Sequence, residues 1–284
     1  MSRPPAIVRA SDPIALRVSS SFAARARDPA LKRWLADLKL VEQHENWQAW
    51  DVLCAFPHAD LGAALALAAR RGRTQELERV LSKRERDGTA WDDDDWTEAL
   101  ARAARAAASA TRLGALELLV RSGVGLRDPG VVDGVLLDAC CADAEMDGPG
   151  SRAACVKFLL SEGGADANCR NTRQGWKPLH AVAKRGDLES IDALVAAGAD
   201  VDARYHNGKT CLYTACEWGQ PKAATLLIGF GASLTAGQWE ADRLYTDFTL
   251  GAANDPVSPR DIAVAMRHED CVRVIDEAMA LRQM

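Results

Sequence analysis

A few places in this chain hold residue types that carry out chemistry in other proteins. Gly208-Lys209-Thr210 ends like a phosphate-binding loop. Such a loop wraps its backbone N–H groups around a phosphate only if another glycine stands five residues earlier. Ala203 stands there and no strand pattern precedes it, so nucleotide binding is not expected. His44-Glu45 begins like a zinc-protease helix, but the second ligand position holds Gln48. Cys140, Cys141, Cys155 and Cys169, with His180 nearby, are the best metal candidates. Structural zinc draws on closely spaced ligand pairs, and spacings of one, fourteen and fourteen do not supply them. Cys140, Cys141 and Cys216 are read instead as small hydrophobes packed between helices, slow to alkylate and metal-free. No Gly-x-Ser-x-Gly elbow is present. The chain is therefore expected to have no catalytic residue, no metal and no cofactor.

One acidic run is left over. Asp92 to Asp95 stand in a row between Trp91 and Trp96, and four adjacent carboxylates repel one another. The run lacks the alternating ligands of a calcium loop. It reads as a solvated turn in which Asp95 or Thr97 caps the next helix, or else as a site for a basic partner segment.

Composition narrows the classes. The 284 residues are 48% hydrophobic and 26% charged, enough for a sizeable core. Net charge is -5, which argues against a protein that lives on phosphate backbones, and no nucleic-acid partner is expected. The longest clean apolar run, Leu61–Ala69, has nine residues, too short to cross a bilayer. Eight cysteines without a C-x-x-C pair read as reduced thiols in the cytoplasm or nucleus. Residues 1–28 alternate arginine with serine and alanine, a flexible basic tail in which mitochondrial targeting is the lesser reading.

The elements that could position a site come from repetition. Gly175, Gly186 and Gly198 recur as Gly208, Gly219 and Gly231, and Leu179 recurs as Leu212, all at an offset of 33. Pro178 suits the first turn of a helix, which Gly186 ends. Ile191, Leu194 and Val195 then supply the apolar stripe of a second helix, stopped by Gly198. Each unit is helix–turn–helix–turn.

The segment from Trp176-Lys-Pro-Leu-His to Ala-Asp-Val-Asp-Ala203 resembles an ankyrin repeat nearly end to end. Weaker likenesses lie at Leu65–Gly72 with Leu77 and Leu81, at Leu100–Ala104 with Leu116–Gly123, at Leu137–Cys141 with Cys155–Asn168, and at Ser258–Ala263 with Val272–Ile275. The turn at Ala108–Thr111 reads as lengthened, and Arg267 stands where the last unit should have its turn glycine. The resemblance implies an all-α ankyrin-repeat solenoid of about six repeats, two regular and four degenerate. The array spans 58–284, with insertions near 143–150 and 235–256. Residues 29–57 form an N-terminal helical cap, with Leu31, Trp34, Leu35, Leu38 and Val41 on one face. In the family pattern Thr-Pro-Leu-His, the histidine ties adjacent turns together. Lys177 replaces the threonine and Tyr213 replaces the next histidine, which puts those bonds in doubt.

What the resemblance implies about function is protein–protein interaction by a monomeric adaptor or scaffold, with no membrane role. The alternative is a regulatory subunit, inhibitor or chaperone-like factor of one enzyme or complex. The concave side would be lined by Arg173, Gln174, Trp176, Lys184 and Arg185, then by His206, Asn207, Lys209, Glu217 and Trp218. Exposed tryptophan beside basic residues is the composition of an interface hot spot.

Overall fold

A computed structural model describes residues 61–87, 93–122, 128–142, 151–170, 175–205, 208–235 and 257–283. Outside them lie the expected tail and cap, His44-Glu45, Asp92, the 143–150 insertion and nearly all of 235–256. Arg173, Gln174, His206 and Asn207 of the expected binding surface also lie outside.

The described residues form twelve helices. They are α1 Leu61–Arg70, α2 Thr74–Asp87, α3 Asp93–Ser109, α4 Leu113–Arg121, α5 Pro129–Cys141 and α6 Ser151–Ser161. Then come α7 Pro178–Arg185, α8 Leu188–Ala196, α9 Cys211–Glu217, α10 Pro221–Gly229, α11 Pro259–Ala265 and α12 Glu269–Gln283. They fall into two compact units. One comprises residues 1–107 and 112–126; the other comprises 108–111 and 127–284.

In the first unit α1 is apolar on every side, and Ala63 to Ala69 are all buried, as a helix without a polar face must be. It packs on α2, which packs on α4. Leu77, Leu116 and Leu119 fill the space between them. α3 begins at Asp93, so Asp93 to Asp95 stand in its first turn rather than in a loop. The cap expected at Asp95 or Thr97 is thus misplaced. Trp96 is buried. The turn after α3 is no longer than the others; the helix itself is long, with 17 residues.

In the second unit α5/α6, α7/α8, α9/α10 and α11/α12 are packed pairs. The first helices α5, α7, α9 and α11 contact one another in sequence, and so do α6, α8, α10 and α12, giving two layers. Leu179, Ile191, Leu194, Leu212, Leu227 and Ile275 are almost wholly buried between the layers. Burying each such side chain contributes roughly 1.5–3 kcal/mol.

The same turn closes the first helices α1, α3, α7, α9 and α11. Gly186 donates to the Ala183 carbonyl and Asp187 to Val182. Gly219 and Gln220 repeat this on Cys216 and Ala215, and Arg267 and His268 on Val264 and Ala263. The geometry needs a left-handed residue, with φ of 69° at Gly186 and 65° at Gly219. A Cβ at Gly219 would stand 2.7 Å from the His268 ring. Arg267 takes the same conformation at φ 60° without being glycine.

That substitution is testable. A non-glycine residue in this region costs roughly 1–2 kcal/mol. Glycine gives back roughly 0.4–1 kcal/mol through the unfolded chain. Arg267→Gly should therefore raise stability by roughly 0.5–1 kcal/mol. Gly219→Ala, strained and crowded by His268, should lower it by at least about 1 kcal/mol. Urea midpoints of the two variants check both signs.

Candidate protein-docking face

The face that bears the expected binding residues is built by α7 and α9 with the turns before them. Pro178 opens α7, and Lys177 at its N-cap makes no side-chain cap bond, so the missing threonine leaves the cap unmade. Thr210 does cap α9, accepting from the Tyr213 N–H, and the Thr214 hydroxyl donates back to the Thr210 carbonyl. These helices hold their own residues rigidly: Leu179 to Ala183 and Cys211 to Cys216 are all buried.

His180 sits wholly inside. Its Nε2 lies 3.2 Å from the Lys209 carbonyl, so Nε2 carries the proton and donates. The inter-repeat tie that Lys177 put in doubt is therefore made. Burial pulls the imidazole pKa down to about 4, overriding the Lys209 and Ala203 backbone, which favours the charged ring. Nδ1 itself makes no hydrogen bond of normal geometry.

The aromatic residues around His180 divide into two kinds. Trp176 is half-buried, with its ring centroid 5.3 Å from Tyr205 and 6.3 Å from His180. Tyr205 meets His180 edge-on at 5.0 Å. Trp218, at the C-cap of α9, is 50% exposed. Lys184 joins the two tryptophans: its Nζ lies 3.9 Å from the Trp218 ring centroid and 5.8 Å from that of Trp176. Lys209 points into the repeat, 2.8 Å from a Glu217 carboxylate oxygen and 5.3 Å from the Tyr213 ring centroid. Arg185 donates to the Cys141 carbonyl. Of the ten expected residues, the structure thus gathers Trp176, Lys184 and Trp218, turns Lys209 and Glu217 toward each other, and ties Arg185 to the preceding repeat. Lys177 and Tyr205 were not among the ten. A tyrosine three residues before the turn glycine was the available signal for Tyr205.

Behind this face the thiols are mostly inert. Cys140, Cys155, Cys169, Cys211, Cys216 and Cys271 are buried, and burial pushes Cys169 up to about 12. Cys141 is exposed, contrary to the packing expected of it. It follows buried Cys140 on the last turn of α5 and so faces the other way. Partial desolvation still raises its thiol, with Arg185 acting in the opposite sense. Among the described residues no group of three or more His, Cys, Asp or Glu side chains could hold a metal. No described helix is long and apolar enough to cross a membrane.

Residues 146–237 match the family model for ankyrin repeats in three copies. This chain contains ankyrin repeats. Mouse protein phosphatase 1 regulatory subunit 27 is 38% identical over 68 residues, 24% of this chain and 44% of the relative. Human ankyrin repeat domain-containing protein 37 is 38% identical over 78 residues, 28% of this chain and 49% of the relative. This chain thus spans less than half the length of either relative. The crystal structure of the human ASB11 ankyrin repeat domain superposes with a TM-score of 0.54 at 23% identity, covering 75% of this chain and 82% of that one. That likeness concerns the fold.

Two outcomes follow from the buried groups. Neutral His180 in the folded state, against an ordinary value near 6.5, stabilises fully above pH about 6.5 and loses that contribution as pH falls toward 4. Stability should drop by about 2 kcal/mol between pH 7 and 5, and His180→Gln should flatten that slope in urea titrations. Under native alkylation with mass-spectrometric readout, Cys141 should label well before Cys140 and Cys211, and faster as pH rises.

Proposed function

We propose that the chain is a non-enzymatic interaction module, an adaptor or scaffold that docks a protein partner on the face of α7 and α9. Ankyrin repeats imply protein–protein interaction, and the observation that carries the location is Trp218. A half-exposed tryptophan with a lysine ammonium on its ring offers a large flat apolar surface at little ordering cost. The neighbouring Trp176, half-buried against Tyr205, supports it from beside. The proposed surface also takes in Arg173, Gln174, His206 and Asn207, which lie outside the described residues. Because one relative is a phosphatase regulatory subunit by name, a second reading is that this face engages one specific enzyme or complex.

The two tryptophans should separate experimentally. Once a partner is identified by pull-down and mass spectrometry, Trp218→Ala should weaken its binding by about 2 kcal/mol. The melting temperature should hardly change, since an exposed cation–π pair is worth only about 0.5–1 kcal/mol. Trp176→Ala should lower both affinity and melting temperature, because its ring packs on Tyr205 and His180. Normal binding by the Trp218 variant in a calorimetric titration would place recognition elsewhere.

A further inference from the structure

We propose that this face takes an acidic segment of the partner protein, bringing carboxylates to Lys177 and Lys184 and a flat apolar side chain to Trp218. The inference rests on the docking reading above and adds the partner's chemistry to it.

Local charge is the first ground. The whole chain carries -5, yet residues 170–185 hold Arg170, Arg173, Lys177, Lys184 and Arg185 and no carboxylate at all. Pairing is the second. Lys209 has its counter-charge in Glu217 at 2.8 Å, and both side chains are largely buried, so neither is open to a partner. Arg185 is engaged with the Cys141 carbonyl. Lys157, on α6, has Glu189 within 3.8 Å. Lys177 and Lys184, by contrast, make no ion pair with a described residue. The Lys184 ammonium lies against the rings of Trp218 and Trp176.

The third ground is preorganisation. A lysine side chain ordinarily loses much rotamer freedom when it binds. Here the Trp218 ring already holds the Lys184 ammonium 3.9 Å from its centroid. A cation lying on a ring keeps N–H donors directed away from it, and a carboxylate accepts those. The same carboxylate-bearing segment can lay an aromatic or aliphatic side chain on the exposed part of Trp218. Nucleic acid fits less well. A polyanion rewards many phosphate contacts, and two unpaired lysines on an acidic chain offer few.

The test uses the full chain and a phage-displayed library of random peptides of about twelve residues, roughly 40 Å long when extended. Enriched peptides should be net negative with at least one aromatic or aliphatic residue. Synthesised, they should bind at least about tenfold more weakly to Lys177→Gln/Lys184→Gln, and more weakly as salt rises from about 0.05 to 0.5 M. Both lysines are partly exposed, so the double variant should keep the parental melting temperature. Trp218→Ala should also weaken these peptides. If Trp218→Ala loses them while the lysine variant binds normally, the acidic segment is overturned and the docking face stands. If neither variant loses them, both readings fail. Enrichment of neutral or basic peptides, no enrichment at all, or tighter binding of a single-stranded oligonucleotide than of any peptide also overturns the proposal.

Discussion

A short helix ends in carbonyl groups that its own turns cannot satisfy. In this chain the next repeat satisfies them, and the stacking depends on it. The residue after the inter-helix turn reaches back each time: Arg112 donates to the Arg70 carbonyl, Gln220 to Lys184 and His268 to Glu217. At α5 the corresponding residue is Asp187, which has no proton to donate. Arg152 takes over, bonding the Ala142 carbonyl with two nitrogens and the Asp187 carboxylate at 3.0 Å. That pair is almost fully buried, so neither charge tolerates loss of the other. Asp187 also caps α8 through Ser190.

The opposite edge of the second unit has its own ladder. Asp133 accepts from the Asp166 N–H, Asn168 from Asp200 and Asp202 from Ser233, at sequence separations of 33, 32 and 31. Asn168 and Asp202 each tie their loop to the next, and Asp133 ties α5 to the loop after α6. Neighbouring repeats are thus pinned at the first-helix end and at the loop end, with the apolar layers between. The stability of such an array is close to a sum of repeats and their interfaces, so these bonds set the local spacing of α7 and α9. Lys184 is where this matters for the docking face. Its carbonyl is held by Gln220 of the next repeat, one turn from Trp218, whose ring holds its ammonium.

Where glycine is forced, the repeat was legible. Gly186 and Gly219 need positive φ and also face a side chain from the next repeat, Gln220 or His268, so both constraints appear as a 33-residue period. Where the chain accepts strain, the period fades. Arg267 and Thr111 adopt the same left-handed turn with ordinary side chains, which leaves no mark in the sequence. That is why the turn at Thr111 looked irregular although its hydrogen bonds repeat those of the others. The start of α3 was hidden for a different reason: four aspartates resemble a loop until the dipole of the helix behind them is considered.

Side-chain exposure was the least legible property, because it is decided by neighbours far away in sequence. Cys140 and Cys141 are adjacent and alike, yet the rotation of a helix by one residue buries one and exposes the other. Trp176 and Trp218 look equivalent at turn positions flanking basic residues. Tyr205, from the following repeat's turn, stacks beside Trp176, while Trp218 ends α9 with half its surface in water. Lys184 lies between them. The same repeat register that delivers a tyrosine to one tryptophan therefore leaves the other as the open element of the face, and the lysine that bridges them carries the charge a partner would have to meet.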